Sequence, residues 1–318
     1  MNKQTIRNSI LLVITAAVWG FAFVAQSMGG DAVGPFAFNF LRFHLGALVL
    51  IPVILIKDKI TGNKHKPKNK DDWKTLIVGG VLCGISLCVA SNLQQLGINM
   101  GTPAGKAGFL TACYILIVPI LGLFLKRRCP WTVWVGVVIA LAGLYLLCLK
   151  EGQAFSVELR DIIVLLCAFC FSIQIMIIDK YSPLVDGVRL SCIQFAVAGG
   201  ISSIPTFIFD MKMDIHAMQD IVVSLKHPEA YIPLLYAGIM SCGVAYTLQI
   251  IGQNGLNPTI ACLIMSLESV FSVIGGWLIL HENLSLRELI GCALVFIAIC
   301  LAQIDIKSSK NKEKKKEL

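Results

Sequence analysis

The sequence predicts an all-α integral membrane protein with ten transmembrane helices, arranged as two five-helix repeats of inverted topology. Three observations lead to this fold class: a very apolar composition, ten apolar segments of membrane-spanning length and an internal repeat. Of the 318 residues, 56% are hydrophobic and 14% are charged, and the mean hydropathy is +0.77. Soluble globular chains carry about 25% charged residues. The composition therefore indicates that most of the chain lies in a lipid bilayer.

Ten segments of the chain approach the length of about 20 mostly apolar residues that a membrane-spanning helix needs. The first is longer than the apolar part of a signal peptide and has no A-x-A cleavage motif, so we interpret it as a retained span. The third and fourth are separated only by the uncharged turn GINMGTP, in which Gly101 and Pro103 favour a break. The predicted spans are 8–28, 36–56, 75–96, 103–125, 131–149, 161–180, 188–209, 230–250, 258–280 and 286–304.

The distribution of positive charges predicts the orientation of these spans, because cytoplasmic loops are enriched in Lys and Arg. Of the 27 Lys and Arg residues, 20 fall in segments on the side of the N-terminus and five on the other side; Arg42 and Lys106 lie within spans. We therefore expect a multi-pass protein of the cell membrane with both termini in the cytoplasm. The net charge of +8 is explained by this asymmetry, so we expect no nucleic-acid partner. The basic tail 305–318 either contacts anionic lipid or is solvated.

An internal repeat divides the chain into two halves. When residues 86–146 are laid over 241–301, thirteen of 61 positions are identical, and both copies contain the series Q-x-x-G-x-N-x-x-x-P. The earlier spans align more weakly at a shift of 152 residues, which places Arg42 on Gln194. We expect one repeat at 8–149, a connecting loop at 150–160 and a second repeat at 161–304. Because five spans is an odd number, the halves would have opposite orientation, as in many secondary transporters.

Several motifs resemble the EamA domains of the drug/metabolite transporter superfamily. They are the repeat ends AGFLTACYILIVPILGLFL and SLESVFSVIGGWLILHENLS, the pair Trp19-Gly20, and the series Phe40 to Phe43. The resemblance covers nearly the whole chain and implies ten helices, cytoplasmic termini and export of amino acids or related small metabolites. The sequence departs from the family pattern at Ser269, where many relatives have proline, and at His281, where many have glycine.

Glu268 is the principal candidate for substrate binding or ion coupling. It lies ten residues into the ninth predicted span, about 15 Å deep at 1.5 Å per residue. A charge at that depth costs about 2.5–3.5 kcal/mol on insertion scales, so such residues are usually functional. Ala261, Met265, Ser272 and Gly275 share its helical spacing and predict one small, polar-tolerant face. The alternative is a buried hydrogen bond between helices.

Two cations lie within predicted spans, a few residues after the start of each and close to the predicted outer face of the membrane. Arg42 is about 9 Å and Lys106 about 5 Å deep by the same helical rise, so either side chain could reach water. The alternative is that one attracts a carboxylate substrate, or that Lys106 pairs with Glu268 across the halves and acts as a gate. Further candidates to line a substrate path, or only to pack between helices, are Gln94, Gln249, Gln174, Tyr246, Trp19 and Tyr114.

The sequence therefore predicts a secondary transporter of small metabolites that works by alternating access, with the bilayer and a small-molecule substrate as its partners. Proton coupling and a homodimer are left open. No Walker loop and no complete H-E-x-x-H motif occur, so we expect no enzyme activity, no cofactor and no bound metal. The alternative is a membrane-embedded enzyme, or a flippase for a lipid- or undecaprenyl-linked carrier, with the same architecture.

Overall fold

The computed structural model describes residues 3–102, 104–126, 130–148, 158–279 and 285–314. All the regular secondary structure within these ranges is helical. Seven helical segments are long and apolar enough to cross a membrane, and two shorter apolar helices accompany them. Pro103, residues 149–157 of the connecting segment, His281 and the last four residues of the tail lie outside the described residues.

The first predicted repeat contains six helices. These are α1 (Lys3–Val33), α2 (Pro35–Thr61), α3 (Lys70–Asn99), α4 (Ala104–Ala112), α5 (Tyr114–Phe124) and α6 (Trp131–Cys148).

The second predicted repeat begins with α7 (Leu159–Tyr181) and α8 (Gly187–Pro205), which continues as a π-helix over Thr206–Asp210. A short helix, α9 (Ala217–Ser224), follows. The remaining elements are α10 (Pro228–Leu235), a π-helix at Tyr236–Tyr246, α11 (Thr247–Gln253), α12 (Pro258–Met265), α13 (Leu267–Ile279) and α14 (Leu286–Lys314).

The fourth and ninth predicted spans are each interrupted, whereas the sequence predicted continuous helices. α4 and α5 meet at Cys113, and α12 and α13 meet at Ser266. The Ser266 hydroxyl donates to the carbonyl of Leu263 at 2.8 Å, and serine side chains that bond to backbone carbonyls in this way bend helices. The predicted single face from Ala261 to Gly275 is therefore divided between two helices. Helix α9 was not predicted, because its eight residues are too few to span a bilayer.

Contacts between helix ends place these ends on two faces. Asn8, in the first turns of α1, donates to the carbonyl of Asn254 at 2.6 Å, and Asn254 donates to the carbonyl of Ser182 at 3.2 Å. We call this side the N-terminal face. On the other side, which we call the far face, Asn99 at the end of α3 donates to Asp31 near the end of α1 at 3.1 Å.

The two halves share one core. The largest cluster of buried apolar side chains includes Phe23, Phe43 and Leu144 from the first half and Phe195 and Val295 from the second. The most extensive helix contacts within the described ranges include those of α6 with α14, α3 with α7 and α2 with α8, all of which join the halves.

Glycines allow α6 and α14 to approach closely. A Cβ added at Gly143 would lie 2.8 Å from the carbonyl oxygen of Gly291, and a Cβ at Gly291 would lie 2.7 Å from the carbonyl oxygen of Gly143. Small residues at such crossings let helix backbones touch in a membrane.

We expect Gly291→Ala to destabilise the protein by about 1–3 kcal/mol, because the new methyl group meets backbone atoms that cannot move aside. Gly200→Ala is the matched control, since nothing lies within 4 Å of a Cβ at Gly200. Thermal unfolding of the purified variants in detergent measures the difference. Equal midpoints for the two variants would show that α6 and α14 do not touch at this position.

Candidate functional site

A small cavity of about 40 Å³ lies inside the helical bundle, with side chains of both halves in its wall. Eight of the nine side chains that the sequence suggested for substrate binding or coupling line it. The lining residues are Trp19, Ala22, Phe23, Gln26, Arg42, Gln94, Thr111, Tyr114, Phe171, Gln174, Ile175, Ser241, Tyr246, Gln249, Met265 and Glu268.

The two interrupted spans meet at this cavity. Tyr114 is the first residue after the interruption of the fourth span, and its hydroxyl donates to Oε1 of Glu268 at 3.2 Å. Glu268 is 4% exposed and lies in the first turn of α13. The hydrogen bond from Tyr114 therefore provides the buried acidic group with a partner in the middle of the bundle.

Arg42 on α2 brings a buried cation to the same cavity. The residue is 2% exposed, and its Nε and Nη2 atoms have no hydrogen-bond partner among the described residues. Its guanidinium carbon lies 5.1 Å from the ring centre of Phe43 and 5.8 Å from that of Phe38. Aromatic faces attract a cation but do not satisfy its N–H donors. The guanidinium group is therefore equipped to bind an anion such as a carboxylate, with which it forms strong paired hydrogen bonds.

Four buried glutamines line the cavity: Gln26, Gln94, Gln174 and Gln249. Gln94 donates to Thr111 at 3.1 Å, and Gln174 donates to Gln194 at 3.2 Å. The side-chain oxygens of Gln174 and Gln249 are buried without a partner in the described structure. A buried polar group without a partner costs about 1–3 kcal/mol. These oxygens are consequently positioned to accept hydrogen bonds from a ligand.

Two predicted aromatic residues form one side of the cavity. The rings of Trp19 and Tyr246 are 4.6 Å apart, and Tyr246 also meets Phe195 edge-on at 5.7 Å. The indole N–H of Trp19 is buried without a partner among the described atoms. The pair thus provides packing surface and one further donor.

Lys106 is the one predicted site residue that does not line the cavity. Its ammonium group forms an ion pair with Asp161 at 2.6 Å, with 14% and 2% of the two side chains exposed. The suggested pair between Lys106 and Glu268 is wrong for this structure, in which Glu268 accepts from Tyr114 instead. The physical reason is position: Lys106 lies near the start of α4, five residues and about 7.5 Å along the helix from Thr111 at the cavity.

Sequence reasoning missed several lining residues, among them Thr111, Phe171 and Ser241. Threonine, serine and aromatic residues are common in apolar helices, so their types gave no signal. The repeat could have indicated one of them. At the shift of 152 residues, Trp19 aligns with Phe171 and Ala22 with Gln174, and all four line the cavity.

The chemistry available in the cavity is recognition. Arg42 and Trp19, which have donors without a partner among the described residues, line the same cavity as Gln174 and Gln249, which have such acceptors. No group of three or more His, Cys, Asp or Glu residues that could hold a metal ion occurs among the described residues. The arrangement suits a small polar solute that carries both acceptor and donor groups.

Comparison with protein families gives one match. The EamA-like transporter family matches residues 7–149 and 159–303, so two copies of the family's domain cover most of the chain. These two segments correspond to the two halves that share the cavity.

Two similar proteins are named as transporters. The chain is 27% identical over 303 residues to an uncharacterized transporter of Archaeoglobus fulgidus, which covers 93% of this chain and 85% of the relative. It is 21% identical over 293 residues to the uncharacterized transporter YoaV of Bacillus subtilis, with 91% and 94% covered. A solved crystal structure shares the fold with a TM-score of 0.72 at 16% identity, over 93% of this chain and 96% of the other. The family match and the relatives named as transporters indicate a multi-pass membrane transporter.

We expect Arg42→Met to stabilise the protein by about 1 kcal/mol or more, because it removes buried donors that have no partner among the described residues. Arg189→Met is the contrasting control. Arg189 is 6% exposed and pairs with Asp58 and Asp186, so its loss should cost about 3–5 kcal/mol. Thermal unfolding in detergent compares both variants with the original protein. A loss of stability in Arg42→Met as large as in Arg189→Met would mean that Arg42 serves the fold instead of a ligand.

Proposed function

We propose, from the premise that this chain belongs to the EamA-like transporter family, that it is a secondary transporter that exports small metabolites, amino acids or related solutes, by alternating access. In this proposal residues 8–149 and 161–304 are two five-helix repeats of inverted topology. The ten spans lie in the cell membrane, and both termini, with the tail 305–318, are in the cytoplasm. The solute binds in the cavity around Arg42 and Glu268.

The packing of the helices supports the inverted repeat. The fifth and tenth spans pack on each other, as do the second and seventh and the fourth and ninth. The first span packs on the eighth and ninth, and the sixth packs on the third and fourth. Each contact is therefore unchanged, or becomes another observed contact, when the halves are exchanged. A two-fold axis in the membrane plane, as expected for inverted repeats, has this consequence.

Glycine contacts support the same symmetry at the level of residues. A Cβ at Gly97 would lie 3.2 Å from the carbonyl oxygen of Arg160, and a Cβ at Gly252 would lie 3.1 Å from that of Asn8. Gly97 and Gly252 are 155 residues apart in the sequence, and Asn8 and Arg160 are 152 apart. These are the two shifts at which the halves align.

The unpartnered groups in the cavity support the substrate class, and this observation carries the proposal. The carboxylate of an amino acid would bind the free donors of Arg42. Its ammonium group would bind the acceptors of Gln174, Gln249 and Glu268. The ligand would thus satisfy buried groups that otherwise cost about 1–3 kcal/mol each.

The size of the cavity fits one step of an alternating-access cycle. About 40 Å³ is far below the roughly 300–1,000 Å³ of an open small-molecule site. A solute could enter only after the halves move apart on one side of the membrane. In the proposed cycle, the described arrangement is a state in which the site is contracted, and the solute binds after the halves move apart.

One observation favours a second candidate, a flippase for a lipid-linked carrier. An apolar groove of about 520 Å³ lies beside the central cavity, with side chains of α1, α10 and the π-helix after it, and Ser272 of α13, in its wall. Gly20 lines this groove, while its neighbour Trp19 lines the cavity. A polar head group in the cavity and an acyl chain in the groove would be the corresponding arrangement.

We expect reconstituted protein to release preloaded amino acids or related solutes from proteoliposomes when a metabolite panel is screened with and without a pH gradient. Scrambling of a fluorescent lipid in the same vesicles tests the second candidate. Solute flux without lipid scrambling supports the transporter. Lipid scrambling without flux of any solute would replace it with the flippase.

We expect Glu268→Gln to remove the dependence of export on the pH gradient, because an amide cannot exchange a proton, while solute exchange at equal pH persists. Tyr114→Phe should weaken that dependence, since it removes the donor to Glu268. Asp220→Asn is the control, because Asp220 is exposed on α9 and lines neither the cavity nor the groove. Export that still follows the pH gradient in Glu268→Gln would rule out coupling through this residue; export driven by the solute gradient alone would then remain.

A further inference from the structure

Three ion pairs among the described residues join the two halves. Lys57 pairs with Asp186, Arg189 with Asp58 and Lys106 with Asp161. The first two tie the end of α2 to the start of α8, and the third ties the start of α4 to the start of α7. In each pair one carboxylate is mostly buried, with 3% of Asp186, 15% of Asp58 and 2% of Asp161 exposed.

The pairs lie on opposite faces of the bundle. The ends of α2 and α7 and the start of α8 belong to the N-terminal face, where Asn254 contacts Ser182. The starts of α4 and α7 belong to the far face, where Arg160 donates to the carbonyl of Met100 at 3.4 Å. The cavity lies between them, since Arg42 is 15 residues, or about 22 Å of helix, before Lys57.

The internal repeat shows that the helix arrangement shared by the two halves does not by itself require these ion pairs. The positions equivalent to Lys106 and Asp161 on the N-terminal face are Ala261 and Ser9, which are buried and uncharged. The equivalents of Asp58 and Arg189 on the far face are Asp210 and Ala37, where the carboxylate accepts the Ala37 backbone N–H at 2.6 Å. The two halves therefore share a helix arrangement but make different charged contacts at the two faces.

We infer that the pair of Lys106 with Asp161 is the far-face gate of the central cavity, and that Arg189 with Asp58, supported by Lys57 with Asp186, is the gate at the N-terminal face. The inference deepens the proposed function and rests on it. Each gate bridges the halves, so the cavity can open to one face only if the gate on that face separates while the other stays closed.

Ion pairs are suited to this role for a physical reason. When a gate separates, its charges leave their partner but become hydrated, so the loss of the pair is offset by recovered solvation. An apolar seal gains nothing from water when it opens. Both gates are closed in the described structure, in agreement with the small volume of the cavity.

The test measures from which side of the membrane the cavity becomes accessible, without the use of any substrate. Ser241, which lines the cavity and is 2% exposed, is replaced by cysteine in the full chain after its twelve native cysteines are changed to serine or alanine. A membrane-impermeant thiol reagent is applied to sealed vesicles of either orientation. Labelling of the denatured protein gives the total amount of the introduced cysteine, to which labelling of the folded protein is compared.

We expect Lys106→Gln to raise labelling from the far face by about tenfold, with no rise from the N-terminal face, because loss of the pair shifts the population towards the state open to the far face. Asp58→Asn should have the opposite effect. Lys106→Gln keeps the Asp161 carboxylate, which also caps the start of α7 by accepting from the N–H of Glu158 at 2.8 Å. Lys226→Gln is the control, since Lys226 is exposed on the far face.

Unchanged labelling in both gate variants, or a rise from the same face in both, would overturn the inference. If the cysteine-replaced protein does not fold, hydrogen–deuterium exchange on variants with native cysteines gives the same decision. Exchange should rise in α4 and the start of α7 for Lys106→Gln, and at the end of α2 and start of α8 for Asp58→Asn. Because neither readout requires flux, a failed gate and a failed transport assay are distinguishable.

Discussion

Inside a bilayer, every backbone N–H and C=O group needs a partner within the protein, and this constraint determines where a membrane helix can be interrupted. The chain is interrupted twice within apolar segments, at Cys113 and at Ser266. Ser266 is fully buried, and its hydroxyl bonds to a carbonyl of the preceding turn. Both interruptions lie against the central cavity, where the hydrogen bond from Tyr114 to Glu268 joins them. The polar site and the irregular backbone therefore depend on each other.

Close packing of α1 on α13 connects the site around Glu268 to the rest of the bundle. A Cβ at Gly20 would lie 2.6 Å from the carbonyl oxygen of Glu268, so α1 touches the backbone of α13 at the residue that bears the buried carboxylate. Trp19, the neighbour of that glycine, faces the cavity. The position of the acid relative to the aromatic wall is consequently fixed by a helix contact that only glycine permits.

Much of the helical architecture could be predicted from the sequence, because apolar length and turn residues identify membrane helices directly. Each predicted span coincides with helix over most of its length, while the interruption at Cys113 was missed because one turn residue does not alter the hydropathy of a 20-residue segment. Polar residues in apolar helices are rare, so Arg42, Gln174 and Glu268 were evident as candidates. The partner of Lys106 could not be predicted, since Asp161 lies 55 residues away and its proximity arises only from the packing of α4 on α7.

The two halves share a helix arrangement but differ in the positions of their charged residues. Gly97 and Gly252 pack in equivalent places, whereas Glu268 aligns with Cys113 and Lys106 with Ala261. A cycle between two accessible states requires that they differ by no more than a few kcal/mol, or one would never be populated. In the proposed alternating-access cycle, a helix arrangement shared by the two halves provides this near-equality, because exchanging the conformations of the halves would interconvert the states. The charges that the repeat does not share are then free to set the bias between the faces and the polarity of the site.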